Sequence, residues 1–493
     1  MTSAIYVTVV VVATAGLVYE LVAAAAASYL LGDSITQFST VIGAYLFAMG
    51  VGSFLSRWVQ RGLAARFVQI EMLVGLTGGW AATLLFVAFG QTAHFRVVLY
   101  GVVGLVGMLV GLEIPLLLRL LRGRLVFREL VAQVLSLDYV GALAASILFP
   151  LLLVPKLGLI RTSLLVGLAN AAVGLWSTWI FRRDLSAVGP LRALGVIVLL
   201  ALGAGVVTAD RITAWSEDRL YSDDIILAQT TPYQRIVLTR WNDDLRLFLN
   251  GHLQFSSRDE YRYHEALVHP ALAAHPAPRR VLVLGGGDGM AVREILRYPA
   301  VQSVTLVDLD REVTRLFTDN PLLVHLNAGA LRDPRVRIVN ADAFIWLTDT
   351  RDTFDVVVAD FPDPHNFSLG KLYSRSFYRT LRGRLAPGGV AVVQATSPMF
   401  ARRSFWCITE TMRSAGLAPR PYHVYVPSFG EWGFVLAGVD GWTPPQAYPA
   451  GLRFLTVEAT PALFAFPPDM AAVPVEVNRL DNQILVHYYG ADS

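Results

Sequence analysis

The chain has one cysteine, Cys407, in 493 residues, which excludes an intramolecular disulfide framework. No Cys and His residues share metal-ligand spacing, so no metal centre is expected. Only 16% of the residues are charged. The half after residue 225 lacks the clustered Lys and Arg that would read phosphates, so no nucleic-acid partner is expected. The net charge of +3 and pI near 8.9 come largely from arginines in loops between apolar runs. What takes the place of charge is apolar bulk, with 54% hydrophobic residues and a mean hydropathy of +0.49. That is too apolar for one soluble globule.

The excess lies in the first 210 residues, where seven segments approach the roughly 20 apolar residues needed to cross a bilayer. They cover about 5–31, 38–55, 69–89, 97–118, 137–154, 159–181 and 193–208. No polar, small-residue cleavage site follows the first, so it reads as a membrane helix and not a signal peptide. Arginines fall in alternate loops: Arg57, Arg61 and Arg66; Arg119, Arg122, Arg124 and Arg128; Arg182, Arg183 and Arg192. By the positive-inside rule these loops and the N-terminus are cytoplasmic. A seventh crossing then puts the second half outside, and six alone leave it inside. The weakest span, 193–208, is short and rich in Ala and Gly, and an interfacial position for it stays open. Glu20, Glu113 and Asp138 lie in or near the spans. Acids at membrane depth point to a polar pocket for a cation, or to pairing that glues the bundle.

A polar linker is expected over 209–224, then a small β domain over 225–270. In it, Asn250-Gly251 between alternating runs signals a hairpin, and Tyr261–Ala274 reads as a helix. The remainder, 271–493, is organised around Val281 to Gly289, a buried strand running into a glycine loop that carries Asp288. A helix follows from about Met290 to Tyr298. Strand, glycine turn and helix N-terminus form the nucleotide-holding element of doubly wound α/β folds. Gly285 and Gly287 let a ligand approach the backbone. A second strand, Ser303–Asp308, ends in an acid about 20 residues on, the spacing of a ribose-binding carboxylate. A third, Arg335–Val339, leads to Asn340-Ala341-Asp342-Ala343, where an adenine edge would lie. Asp342 taken singly reads as a helix cap. A fourth, Asp355–Ala359, ends in Asp360-Phe361-Pro362-Asp363-Pro364. Four acids at one end of one sheet mark a site.

These residues resemble the polyamine aminopropyltransferases (spermidine synthases), from about Ile225 to the C-terminus. The resemblance rests on Tyr233-Gln234, Asn250-Gly251 with Gln254, Asp259-Glu260 with Tyr263-His264-Glu265, Gly285 to Gly289, and Asp360 to Pro364. It implies a methyltransferase-like fold and nucleoside contacts from Gln234, Asp308, Asp342 and Ala343 to the co-substrate decarboxylated S-adenosylmethionine, with no cofactor. It further implies amine contacts from His264, Asp288 and Asp363, Asp360 as proton acceptor, and Tyr263 as its partner in orienting the amine. Putrescine is the first expectation for the acceptor. Gly111 to Pro115 and Asp138-Tyr139 are similar to the multi-pass extensions of some bacterial members, which implies a cell-membrane location and the lipid bilayer as a partner. Dimers or tetramers are usual in the family, so a homo-oligomer is expected.

Two other functions remain open on the residues alone. An S-adenosylmethionine methyltransferase shares the fold, but its donor bears a carboxylate that Asp288 would repel. The acid that such enzymes carry two residues before the first glycine is Val283 here. A polyamine transporter or sensor would use the nucleotide fold only to bind. The chain departs from the commonest family form between Asp360 and Asp363, where small hydroxylic residues are usual, and has Phe429 near a substrate-contacting tyrosine. Glu431 and Trp432 are candidates for a cation site or for packing.

Overall fold

A computed structural model describes residues 2–31, 34–89, 91–92, 94–122, 127–217, 221, 223–439 and 444–492. Arg124, linker residues 218–220 and 222, and Ser493 lie outside the described residues. The chain divides into two compact units, Met1–Ile225 and Ile226–Ser493.

The first unit is helical: α1 (Thr2–Leu31), α2 (Ser34–Leu55), α3 (Leu63–Phe89), α4 (Phe95–Leu121), α5 (Phe127–Leu148), α6 (Val154–Ile180) and α7 (Val188–Glu217). Among the described residues, six stretches are by length and composition apolar enough to cross a membrane, the longest being Arg128–Ile180. That stretch breaks at Gly158, whose φ of +72° lies outside helical space. Glycines also set the packing. A Cβ on Gly52 would stand 1.9 Å from the Met108 carbonyl oxygen, and one on Gly111 2.1 Å from that of Met49. Only hydrogen at these positions lets α2 and α4 approach so closely. Expected and observed ends differ at α5, which starts ten residues before 137, and at α7, which starts before 193 and runs to Glu217, into the stretch expected as a linker.

The second unit opens with a four-stranded sheet in the order β1 (Asp224–Thr230), β2 (Arg235–Trp241), β3 (Asp244–Leu249) and β4 (His252–Ser256). Asn250 (φ +51°) and Gly251 (φ +83°) turn β3 into β4, the two positive φ values a two-residue hairpin needs. After α8 (Glu260–Leu272) come β5 (Arg280–Gly285), α9 (Met290–Ile295), β6 (Ser303–Asp308), α10 (Arg311–Asp319), α11 (Pro321–Leu326), β7 (Val336–Asn340), α12 (Ala343–Asp349) and β8 (Phe354–Asp360). Then follow α13 (Phe367–Gly370), α14 (Arg375–Arg382), β9 (Leu385–Gln394), α15 (Arg402–Ser414), β10 (Ala418–Val426), β11 (Gly430–Gly438) and α16 (Ile484–Asp492).

The large sheet has the order β10-β11-β9-β8-β5-β6-β7. Its centre, β9 through β7, is parallel, and β11 and β10 add antiparallel strands at one edge. Val281, Leu282, Val283 and Leu284 of β5 are wholly buried, as a parallel strand covered on both faces requires. This is a Rossmann-like, methyltransferase-type sheet. The small sheet is no separate globule: Ile236, Leu238, Leu247 and Phe255 share one apolar core with Tyr263, Val281 and Val283. The helix expected to reach Tyr298 stops at Ile295.

Candidate active site

Register places the glycine loop against the end of β8. Gly285 pairs with Asp360, and Gly286 N–H donates to the Asp360 carbonyl at 3.1 Å. Gly285 (φ +77°), Gly286 (+64°) and Gly289 (+75°) make the turn, and a Cβ on Gly285 would meet the Asp360 carbonyl oxygen at 2.1 Å. Gly287 is bare for another reason: its Cβ would lie 2.7 Å from Asp308 Oδ2, which its N–H binds at 3.1 Å. Asp288 Oδ1 caps the helix behind, accepting from Met290 N–H at 2.9 Å. Asn327, wholly buried, ties the loop down through Nδ2 to the Asp288 carbonyl at 2.9 Å.

At the end of β8, Tyr263 Oη donates to Asp360 Oδ1 at 2.5 Å. Burial pushes the Asp360 carboxyl up to about 6; Asp288 adds to this, while the His264 charge and the Tyr263 bond pull against it. Burial and the Asp360 charge hold the Tyr263 phenol well above its ordinary value. His264 is 2% exposed. Burial alone would lower it, but the bond and charge of Glu260, 2.8 Å from Nδ1, outweigh burial and lift it to about 9. Glu260 is itself clamped by Arg293 at 2.9 Å. His264 is thus a fixed imidazolium whose charge acts on Asp288 and Asp360.

Asp363 is buried, which raises its pKa, and accepts from Gln394 Nε2 at 2.8 Å, Tyr489 Oη at 2.9 Å and Thr396 Oγ1 at 3.4 Å. His365, beyond it, stacks on His252 of the small sheet with ring centroids 4.5 Å apart, and burial lowers it to about 4. Burial lowers His252 too, so the rings meet as neutral aromatics.

The nucleoside candidates divide. Asp308 ends β6, its pKa pushed up to about 6 by burial, with Oδ1 accepting from Asp310 N–H at 2.9 Å. Gln234 Nε2 reaches Asp310 Oδ2 at 3.0 Å, and Thr231 Oγ1 shares that oxygen at 2.7 Å. Asp342 is the N-cap of α12, accepting from Phe344 N–H at 2.9 Å, with Ala343 opening the helix. Its other oxygen pairs with Lys371 at 2.5 Å; burial raises its pKa, but Lys371 and the N–H bonds of Ile345 and Phe344 together outweigh burial and lower it. Glu431 is not turned to the acids; it binds His423 Nδ1 at 2.8 Å. Trp432 packs on Phe429, with centroids 4.9 Å apart. Asn327, Gln394, Tyr489, His252, His365 and Asp310 escaped the sequence reading because each meets its partner only through the tertiary fold. Of them, only Asp310 carried a local signal, as the acid two residues past a strand end.

The arrangement joins a buried, raised carboxylate to a phenol and a fixed cation beside the glycine loop of Asp288. The Spermine/spermidine synthase domain family matches residues 260–441. The chain is 55% identical over 489 residues to a polyamine aminopropyltransferase of Leptospira interrogans, covering 99% of this chain and 98% of that one. It is 56% identical over 493 residues to polyamine aminopropyltransferase 2 of Ralstonia nicotianae, covering 98% and 97%. Among solved structures, a spermidine synthase in complex with the transition-state analogue AdoDATO is similar at 26% identity and a TM-score of 0.47, covering 50% of this chain and 86% of that chain. The likeness to the named relatives runs through the helical unit as well as the α/β unit, and this enzyme belongs to the polyamine aminopropyltransferase family.

Proposed function

We propose that the enzyme moves the aminopropyl group of decarboxylated S-adenosylmethionine to putrescine, giving spermidine and methylthioadenosine. The amine nitrogen attacks the carbon next to the sulfonium; the C–S bond breaks with its electron pair going to sulfur, and the amine proton passes to Asp360. An alkylamine with a pKa near that of lysine, about 10.4, is mostly protonated at pH 7, so a base is required. A carboxylate already raised to about 6 fits that task better than an ordinary one. In this reading Asp288 attracts the donor's ammonium, Asp363 the acceptor's, and Asp308 the ribose. Holding both flexible amines in line supplies much of the rate.

The observation that carries this is the Tyr263–Asp360 bond at the mouth of the Asp288 glycine loop. The test supplies purified protein with decarboxylated S-adenosylmethionine and a panel of amines and follows methylthioadenosine. Release that is fastest with putrescine is expected. Release with none of the amines overturns the reading, and methylated product from intact S-adenosylmethionine replaces it with a methyltransferase.

We further infer that the helical unit is a multi-pass anchor in the cell membrane. Its outward residues are apolar: Phe47 is 75% exposed, Leu151 73% and Val207 82%. Such a surface needs lipid. Arg57 lies over the Phe54 and Trp58 rings and Arg192 over Trp179, the pairing of charge and aromatic favoured at an interface. A reporter fused after Ser493 reads outside for seven crossings and inside for six.

A further inference from the structure

We propose that the helical unit holds a second binding site, for an alkyl polyammonium ion. A cavity of about 170 Å³ is lined there by Glu20 of α1, Tyr45 of α2, Glu113 of α4 and Asp138 of α5, with Val12 and Leu117 among its apolar walls. Among the described residues that line it, three are acids and none is basic.

Acids at this depth are costly unless something answers them. Neighbouring Glu71 is answered in part from within the protein, since Asn170 Nδ2 donates to its Oε2 at 3.1 Å and to its carbonyl at 2.9 Å, while its Oε1 is left open among the described residues, away from the cavity. Glu113 differs in lining the cavity. It is 2% exposed, and its Oε1 is buried with no hydrogen-bond partner among the described residues, on the wall of the cavity. A buried acceptor left open at a cavity is completed by a donor that enters it. Tyr45 does not fill that role; its hydroxyl donates to the Gly16 carbonyl at 2.8 Å.

The spread of the acids selects the ligand. Among the described residues no three His, Cys, Asp or Glu groups stand close enough to share one metal ion. Carboxylates on three helices, separated by aliphatic wall, match ammonium groups separated by methylenes: each –NH₃⁺ has three donors to give, and the chain between lies on Val12 and Leu117. This site is independent of the transferase reading, whose residues all follow residue 225.

The test uses the full chain in lipid nanodiscs and radiolabelled spermidine in equilibrium dialysis. Glu113→Gln and Glu20→Gln are each expected to lose one bound spermidine per chain, or to weaken it at least tenfold, while methylthioadenosine release by the same samples is unchanged. Bound spermidine that both variants retain at wild-type affinity overturns the proposal. If sodium chloride displaces spermidine where choline chloride at equal ionic strength does not, the cavity holds a small inorganic ion and the proposal also falls. Should a variant fail to fold, carbodiimide labelling of wild-type Glu113 decides: spermidine must protect it, and unprotected labelling is the overturning result.

Discussion

Tyr263 and Asp360 stand 97 residues apart in sequence and 2.5 Å apart in the fold, phenol to carboxylate. The bond fixes one oxygen of Asp360. Tyr263→Phe removes the hydroxyl and keeps the ring contacts to Phe434 and Phe429, at 5.2 and 6.3 Å. Loss of orientation alone is expected to lower kcat roughly tenfold to a hundredfold with the donor KM little changed. Asp360→Asn removes the base and is expected to cost roughly 10²- to 10⁴-fold. Steady-state methylthioadenosine release checks both.

The raised Asp360 sets an acid limb. A general base works ionised, so kcat/KM is expected to climb with pH through about 6 and then level. For one such group the ionised fraction rises from about 0.1 at pH 5 to about 0.9 at pH 7, roughly a tenfold gain in rate. His264, lifted to about 9, is positive over that whole range and pulls the Asp360 value down. His264→Gln removes that charge, so the limb is expected to move to higher pH. Profiles of kcat/KM against pH for the two proteins give the sign.

Local pattern made the centre of this fold legible, and non-local choice hid the rest. Val281 to Gly289 could be read because strand, turn and helix start are each coded by adjacent residues. Asn250-Gly251 was readable for the same reason. The plain helix-cap reading of Asp342 matches its bond to Phe344 N–H, while its ion pair with Lys371 needed the fold. The bond from Gln234 Nε2 to Asp310 could not be read from the sequence, since it is settled by how the small sheet docks. The extra length of α7 was hidden by the charged residues after Ala209, which read as the end of an apolar span.

Two glycines with positive φ separate crowding from conformation. Gly251 (φ +83°) has nothing within 4 Å of a built Cβ, so Gly251→Ala is expected to cost only the left-handed backbone, about 1 kcal/mol. Gly285 (φ +77°) adds a 2.1 Å collision with the Asp360 carbonyl oxygen. Gly285→Ala is expected to cost about 3 kcal/mol or more and to displace Asp360 with the loop. Thermal unfolding of the two variants, with turnover measured on what remains folded, tests the difference.

Asp363 draws on the far end of the chain. Its carboxylate is buried, and the Tyr489 hydroxyl of α16 donates to it at 2.9 Å, beside Gln394. These bonds favour the charged form against the burial that opposes it. A hydrogen bond to a charged group is worth about 1.5–3 kcal/mol. Tyr489→Phe is therefore expected to raise the acceptor KM roughly tenfold at pH 7, and further as pH falls and Asp363 takes up its proton sooner. The donor KM should hold, because the donor's ammonium is assigned to Asp288 and its ribose to Asp308. Separate titrations of amine and donor check the split. A rise confined to the donor KM would move Asp363 from the acceptor side of the site to the nucleoside side.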